Sequence, residues 1–347
     1  MGSAMSTPTG STTQQACLLQ PAMDGDFDTV KQLVGVFLAS LSHTNIGFVV
    51  TPDPRLRDYV NQADSQGNTA MHGAIFAGHI NICRYLHESC GASLHLANTL
   101  GCSPIWLAAA YNRKGILDYI LTKCSNAKQE LQQTNHSGDT CLIAAASRGH
   151  IEVCQMIIQK AVTLDILIPI MDTTNQGGDT LISVAIAGGH SILLNLLLQH
   201  TSTTILNQPN CKGVTPLLIA CERDDVTSCQ LLLQHGATLD VTDSLTGASP
   251  LAVAAFCGSN QVMEVLLQAD TGSKHLEQSN SNACTPLWLA TRAGQVKIVK
   301  CLLDAGADPH KRNKDGISAI DVAIKFKRKS ISNLFHNCTI TPKSASS

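Results

Sequence analysis

The stretch GDTCLIAAASRGH, residues 138–150, decides the fold because its skeleton occurs three times in the chain. The same Gly, Thr, Ala, Gly and His positions occur in GNTAMHGAIFAGH from Gly67 and in GDTLISVAIAGGH from Gly178. Self-similarity of this kind must be followed along the chain before any chemical site is assigned to the shared histidine.

In this stretch Thr140 stands two residues after Gly138, the glycine of the predicted turn. A Thr or Ser at the same place recurs along the chain at intervals of 33 to 40 residues and serves as an anchor. The anchors are Thr69, Ser103, Thr140, Thr180, Thr215, Ser249, Thr285 and Ser318. An alanine follows every anchor by five residues and an apolar residue follows it by seventeen. Turn Gly, capping Thr or Ser, and small Ala together predict a short capped helix that packs closely against its copy in the next repeat.

The segments TAMHGA, SPIWLA, TPLLIA, SPLAVA and TPLWLA resemble the T-P-L-H-x-A signature of the ankyrin repeat. The resemblance implies an all-α solenoid of helix–turn–helix repeats joined by β-turn or hairpin loops. We expect eight ankyrin repeats over residues 63–338. Residues 15–41 keep only part of the spacing, and we expect them to form a degenerate N-terminal capping repeat.

Four segments depart from the repeat. Residues 42–62 are expected to be an insertion loop, and residues 1–14 and 339–347, rich in Ser and Thr, disordered tails. A second insertion at 163–174 is strongly apolar, so it is either a functional loop or a cover for the second helix of its repeat.

The run KFKRK, residues 325–329, is either a solvated face of the C-terminal capping repeat or a signal for import or an acidic partner.

Composition limits the classes of function. A formal net charge of −2 gives no global reason to expect nucleic acid or an anionic membrane as partner. The fourteen cysteines include no C-x-x-C pair, so we interpret them as buried apolar residues in a reducing compartment. We find no secretory signal and no apolar run of membrane length, and expect a monomer in the cytoplasm or the nucleus.

No catalytic motif is present: G-x-S-x-G, the Walker loop and H-E-x-x-H are all absent. His79, His150 and His190 occupy one repeat position, and packed helices place such positions about 8 to 10 Å apart. Ligands of one zinc ion each lie about 2.0 to 2.1 Å from it, so these histidines cannot share a metal. We predict that they brace loops, and we expect no catalytic residue, metal or cofactor.

Stacked repeats expose a long concave surface, and the resemblance implies that residues seven and eight places after each anchor face a partner there. These positions hold Phe76, Tyr111, Arg148, Glu222, Arg223, Phe256 and Arg292. Aromatic and Arg side chains are favoured at interface hot spots. We therefore expect a non-catalytic scaffold or adaptor for a protein partner of unknown identity. The alternative is a substrate-recognition or regulatory segment of a larger enzyme or ubiquitin-ligase assembly.

Two further features carry open interpretations. Trp106 and Trp288 replace the signature His and are either interface anchors or half-buried residues that start a helix. The first residues, MGSAMS, match M-G-x-x-x-[ST], so Gly2 is a candidate for myristoylation or a remnant of a cloning vector. A single myristoyl chain binds membranes only marginally. We thus expect membrane association only for an acylated chain, which would be an N-myristoylated, membrane-tethered adaptor.

Overall fold

The computed structural model describes residues 17–41, 53–270 and 272–340, without the side chains of residues 41 and 337–340. Within these ranges the chain forms α-helices and no β-strand, which confirms the all-α class. The helices are α1 (Leu19–Asp24), α2 (Phe27–Leu41), α3 (Pro54–Val60), α4 (Ala70–Ala77), α5 (Ile80–Arg84), α6 (Pro104–Ala110), α7 (Lys114–Lys123), α8 (Ala127–Gln132), α9 (Cys141–Ala146), α10 (Ile151–Thr163), α11 (Leu167–Met171), α12 (Leu181–Ala187), α13 (Ser191–Leu198), α14 (Thr203–Leu206), α15 (Pro216–Glu222), α16 (Val226–Gln234), α17 (Pro250–Cys257), α18 (Asn260–Ala269), α19 (Pro286–Ala293), α20 (Val296–Asp304), α21 (Ala319–Lys325) and α22 (Lys329–Ile340). A π-helical turn, Tyr85–Ser89, continues α5.

Every anchor residue is the N-cap of the first helix of its repeat. The side-chain oxygen of six anchors accepts a hydrogen bond from the amide three residues later, as Thr140 Oγ1 does from Ile143 N at 3.2 Å. At the first anchor, Thr69, the ring of His72 completes a capping box. These caps satisfy amides that the helix itself leaves unpaired, so each first helix begins at a defined residue.

A residue with positive φ follows each first helix and turns the chain into the second helix. Glycine fills this position in five repeats, as at Gly78 and Gly258. Asn112 (φ 57°) and Asp224 (φ 55°) adopt the same conformation in place of glycine, as Asn and Asp tolerate it better than most residues. The last repeat places Lys327 there at φ 54°.

First helices pack side by side through their anchor-plus-five alanines, which are completely buried, as at Ala74, Ala145 and Ala220. The second helices lie behind this layer and supply the larger buried side chains, such as Ile157 and Leu232. One hydrophobic cluster extends from Leu18 to Phe335, so the core is as long as the array.

The turns ahead of the anchors form a ladder of backbone hydrogen bonds. In six of the seven junctions between described repeats, an amide of one turn donates to a carbonyl of the preceding turn at 2.8 to 3.1 Å. The pairs are Thr99–Gln66, His136–Leu100, Gln176–Ser137, Cys211–Gly177, Ser281–Thr246 and Lys314–Asn282.

The junction between the fifth and sixth repeats lacks this ladder bond. The turn of the sixth repeat is one residue longer than the others, since Gly247 N bonds Asp243 O across five residues rather than four. Ser244 N follows Asp243 as Gln176 N follows Asn175 and is therefore the expected donor, but in the described chain it forms no such bond to the preceding turn, whereas Leu245 N bonds Asp243 Oδ1 (2.8 Å). The Leu245 side chain is 78% exposed.

The N-terminal segment packs on the first repeat, with α1 against α4. Gly73 permits this contact, because a Cβ there would lie 2.7 Å from Met23 Cγ. The expected insertion loop, residues 42–62, is helical where the structure describes it: Asp53 caps α3 through the Arg55 amide, and Pro54 is its first residue. Tyr59 of α3 stacks on Phe37 of α2 with ring centroids 4.1 Å apart. Residues 42–52 lie outside the described ranges.

The apolar insertion at 163–174 folds back as α11. Ile166, Ile170 and Met171 are buried, whereas Ile168 is 71% exposed. This pattern favours the interpretation that the insertion covers the second helix of its repeat. The predicted tail at 1–14 lies outside the described residues, and α22 continues to Ile340, two residues into the tail predicted for 339–347.

The thirteen cysteines that the structure describes are all free, and nine of them are buried. Burial raises the pKa of Cys83 and of Cys141 to about 12, so these thiols stay protonated. No helix in the described part of the chain is both long enough and apolar enough to cross a bilayer.

Candidate functional site

The first-helix face, formed by the turn tips and the ends of the first helices, contains two separate cavities. The N-terminal cavity has a volume of about 660 Å³ and lies across the capping repeat and the first three repeats. Phe76, Trp106, Tyr111 and Arg148 form part of its wall, so the structure brings three of the seven predicted partner-binding residues together. Phe76 and Tyr111 are each 37% exposed.

The aromatic rings of the N-terminal cavity are held in a fixed arrangement. Phe76 and Tyr111 meet edge to face with centroids 4.7 Å apart, a favoured geometry for such rings. The Arg148 guanidinium lies 5.7 Å from the centroid of Tyr111 and 5.9 Å from that of Trp106. These cation–π contacts orient the Arg148 side chain along the wall of the cavity.

The C-terminal cavity, about 440 Å³, lies across the fifth, sixth and seventh repeats. It brings together two more of the predicted residues, Glu222 and Phe256, and Phe256 is 56% exposed. Its other lining is mainly apolar, with Val214, Leu218 and Leu289 among the side chains.

The structure places the remaining two predicted residues outside both cavities. The Arg223 side chain extends toward the preceding repeat, where a Cβ on Gly189 would lie 3.5 Å from its Nη2. Arg292 packs over the ring of Trp288 at 5.6 Å. The sequence placed all seven residues on one face, but it could not distinguish those that line a cavity from those that flank one.

The three repeated histidines brace loops, as predicted. Nε2 of His79, His150 and His190 lies 3.1 to 3.2 Å from a carbonyl oxygen at the end of the preceding repeat's first helix. The acceptors are Met23, Ala110 and Ser147 respectively. These contacts join adjacent repeats, and none of the three rings lines either cavity.

Both tryptophans link neighbouring repeats. Trp106 Nε1 donates to Asp139 O (3.1 Å) and Trp288 Nε1 to Ile317 O (3.2 Å), in each case the carbonyl just before the next anchor. His72 makes the equivalent contact to Cys102 O at 3.3 Å. Trp288 is only 7% exposed, so it is a buried helix-start residue rather than a half-buried one, whereas Trp106 also contributes to the wall of the N-terminal cavity.

Sequence reasoning missed a column of Asn and Asp side chains in the turns. An Asn or Asp lies five residues before the anchor in seven repeats, and its side-chain oxygen accepts turn amides, as Asn135 Oδ1 does from Ser137 N and Asp139 N (2.9 Å each). Asn175 and Asn210 also donate to an aspartate of the preceding repeat. The fixed spacing of Asn or Asp five residues before the anchor could have predicted this column from the sequence.

Several exposed apolar residues were also missed. Leu100 at a turn tip is 65% exposed and lines the N-terminal cavity. In the last repeat, Ile324 is 67% exposed and Phe326 47% exposed, beside the basic run at 325–329. Phe326 stands eight residues after its anchor, so the rule that selected Tyr111 would also have selected it.

Titratable groups in the described residues form contacts that join repeats. No cluster of His, Cys, Asp and Glu within the described ranges could hold a metal ion. The most connected group is His275, whose Nδ1 lies 2.8 Å from Asp270 Oδ1 and whose Nε2 lies 2.9 Å from Asp240 Oδ1. Burial acts to lower the pKa of His275, but the two carboxylates outweigh it and raise the pKa above its ordinary value. These two ion pairs form a clamp that joins the connection after α16, which holds Asp240, to the connection after α18, which holds Asp270 and His275.

A profile of the family described as ankyrin repeats (3 copies) matches six overlapping stretches of the sequence. They are residues 16–130, 87–169, 106–205, 163–243, 182–275 and 251–344. Together they extend over nearly the whole chain.

Three relatives illustrate the range of similar proteins. Ankyrin repeat protein nuc-2 of Neurospora crassa is 23% identical over 292 residues, covering 84% of this chain and 23% of the relative. Tyrosine-protein kinase HTK16 of Hydra vulgaris is 27% identical over 141 residues, covering 40% and 18%. Ankyrin repeat and SOCS box protein 3 of Homo sapiens is 33% identical over 92 residues, covering 26% and 18%. In each case the similar region is less than a quarter of the relative's length.

Proposed function

The chain belongs to the ankyrin-repeat family, and from that premise we propose that it is a non-catalytic scaffold that binds a protein partner on its first-helix face. Ankyrin repeats generally act as protein-interaction modules that use the concave surface of the stack. The proposal assigns partner contact to Phe76, Tyr111, Arg148, Glu222 and Phe256.

The observation that carries this proposal is the exposed aromatic wall of the N-terminal cavity. Phe76 and Tyr111 keep more than a third of their surfaces exposed although they pack against each other. The apolar surface that these side chains leave exposed in the cavity is not used in folding and is favourable for binding. Their positions, seven and eight residues after the anchors, are those that the family uses for partner contact.

The test is the triple variant Phe76→Ala, Tyr111→Ala, Phe256→Ala. Proteins that co-purify with the wild type from native cells should be lost from the variant, while its helical circular dichroism and urea midpoint stay close to wild type. The control is Val162→Ala, Ile168→Ala, Ile192→Ala, because these three apolar side chains are also exposed (55%, 71% and 75%) but lie on second helices or the insertion. Equal recovery by the triple variant and the wild type would refute a binding role for the first-helix face.

A second candidate function is that of a recognition or regulatory segment within a larger enzyme or ubiquitin-ligase assembly. It is favoured by the relatives, since one is a tyrosine-protein kinase and another has a SOCS box, and each is several times longer than its similar region. Blue-native electrophoresis of the native protein tests this candidate. Migration at the mass of the 36.8 kDa chain alone would refute it.

The proposal of a myristoylated, membrane-tethered adaptor rests on Gly2, which lies outside the described residues. The supporting pattern is MGSAMS alone. Mass spectrometry of the N-terminal peptide from native material tests it directly. A free or acetylated N-terminus would exclude the tether.

A further inference from the structure

The two cavities of the first-helix face differ in the charge of their lining. Arg148 is the only Asp, Glu, Lys or Arg among the side chains that line the N-terminal cavity. His72, the other titratable group there, is 2% exposed, and burial lowers its pKa, so the ring is neutral. In contrast, Glu222 and Asp243 line the C-terminal cavity, and no cation does.

Arg148 has unused capacity for an anion. Its Nη1 donates to Ala144 O (3.2 Å) on the same helix, and the aromatic rings of Trp106 and Tyr111 lie beside its guanidinium. No carboxylate in the described part of the chain forms an ion pair with it. A planar guanidinium held against aromatic faces is suited to bind a carboxylate through two parallel hydrogen bonds.

Glu222 is the corresponding group in the C-terminal cavity. It is exposed at the end of α15 and forms no ion pair within the described ranges. The Asp243 carboxylate is already engaged, since it accepts the amides of Leu245 (2.8 Å) and Thr246 (3.0 Å). Asp243 therefore adds negative potential, and Glu222 keeps its carboxylate open to a cation from a partner.

The surface between the two charges leaves room for a continuous ligand. The fourth repeat has the small residues Gly188 and Ala187 at the positions where its neighbours have Arg148 and Glu222, and the larger side chains near them are His190, beside Gly188, and Arg223, beside Gly189. Arg148 and Glu222 are two repeats apart, which corresponds to roughly 20 Å at about 10 Å per packed helix. A segment of about 6 extended residues or about 13 helical residues covers that distance.

We propose that the first-helix face binds one protein segment in a single direction set by charge. An acidic residue next to a large apolar side chain lies at the N-terminal cavity, and a basic residue next to another large apolar side chain lies at the C-terminal cavity. This inference rests on the proposed function and adds the chemistry and orientation of the partner.

The experiment selects binders from a phage library of random 16-residue peptides on the wild-type chain. Selected peptides should place an acidic residue and a basic residue in one order at one separation, each beside an aromatic or large aliphatic residue. One such peptide, synthesised with a fluorescent label, is then titrated by anisotropy. We expect Arg148→Glu and Glu222→Lys each to weaken its binding at least about tenfold, as loss of a close charge pair at an interface does.

A charge exchange gives the decisive readout. Changing the acidic residue of the peptide to Lys should weaken its binding to the wild type and restore binding to the Arg148→Glu chain. Lys300→Glu is the matched control, since Lys300 carries the same charge but is exposed on α20, a second helix, and lines neither cavity, so this variant should bind the peptide like the wild type. Circular dichroism of each variant verifies its fold.

Two results would overturn the inference. Failure to select peptides with this charge order, or equal affinity of the wild type and Arg148→Glu for the selected peptide, would remove the proposed orientation. The proposed function has its own readout in the Phe76→Ala, Tyr111→Ala, Phe256→Ala chain. If that variant loses a peptide that tolerates Arg148→Glu, the face binds protein without charge order, and if it keeps the peptide, both proposals fail.

Discussion

At the residue scale, one position shows how different side chains perform the same task. Ten residues after the anchor stand His79, Arg113, His150, His190, Ser259 and Arg328, and each bonds a carbonyl oxygen at the end of the preceding repeat's first helix. Imidazole, guanidinium and hydroxyl groups can all donate to a carbonyl. The histidine shared by the three quoted stretches is therefore one of several side chains that can donate to a carbonyl oxygen at the end of a first helix.

His275 gives a prediction for pH. Its pKa is raised in the folded chain by Asp240 and Asp270, so the charged ring stabilises the fold fully below its unfolded pKa, and this contribution is lost as pH rises through the folded pKa. The urea midpoint of the wild type should exceed that of His275→Gln by more at about pH 5.5 than at about pH 8.5. Circular dichroism at 222 nm, the usual probe of helix content, measures both midpoints.

A control separates this clamp from a general effect of histidine replacement. The His235 ring contacts the Leu231 carbonyl at 2.9 Å rather than a carboxylate, so His235→Gln is the matched variant. A wild-type advantage over His275→Gln that stays constant or grows with rising pH would contradict the assignment.

At the scale of elements, a turn glycine can be required for its left-handed backbone conformation and for the close approach of the next turn. Substitutions at different glycines separate these two requirements. Gly138 has a φ of 78°, and a Cβ there would lie 2.6 Å from the backbone nitrogen of Gln176 in the next turn. Gly316 has a φ of 75°, but nothing lies within 4 Å of its added Cβ. The first glycine serves conformation and close approach, and the second serves conformation alone.

We predict that Gly138→Ala lowers stability more than Gly316→Ala. Left-handed backbone costs an alanine about 1 to 2 kcal/mol at either position. Gly138→Ala also displaces the adjoining turn and its Gln176–Ser137 ladder bond, which adds about 1 kcal/mol or more. Urea unfolding of both variants checks the order. Equal losses would mean that the turns do not depend on close approach.

Much of this element-scale structure could be predicted from the sequence, because capping, turn and packing residues recur at fixed spacings. The anchors predicted the start of every first helix. Helix α3 was missed although Asp53 followed by Pro54 is a standard start signal. A single helix outside the repeat period has no copies to reinforce its pattern.

The candidate site was predicted only in part, for a different reason. Spacing placed Phe76 and Tyr111 on one face because both positions belong to the repeat. It could not show that Arg148 lies over Trp106 and Tyr111, since that contact depends on how far side chains extend across a junction. The His275 clamp was likewise hidden, because Asp240, Asp270 and His275 lie in connections that follow no fixed spacing.

At the scale of the whole molecule, the missing ladder bond divides the turn surface into a five-repeat part and a three-repeat part. We predict that turn amides near residues 243–247 exchange with deuterium faster than those of the other turns, because Ser244 N, at the position of the ladder donor, forms no backbone hydrogen bond to the preceding turn in the described chain. Hydrogen-exchange mass spectrometry measures this difference. Deletion of Leu245, which restores the common turn length, should slow exchange there to the rate of the other turns. Unchanged exchange after the deletion would show that turn length is not the cause.

The interrupted ladder also determines how the array would respond to a pulling force. Along the turns, successive repeats are tied by backbone hydrogen bonds in parallel with helix packing, whereas the fifth and sixth repeats rely on helix packing without that tie. Tension applied between the two ends would first open this junction on the turn side, so the array would extend there before any single repeat unravels. A partner bound in both cavities would span the same junction and resist its opening. The array would then extend less under the same force.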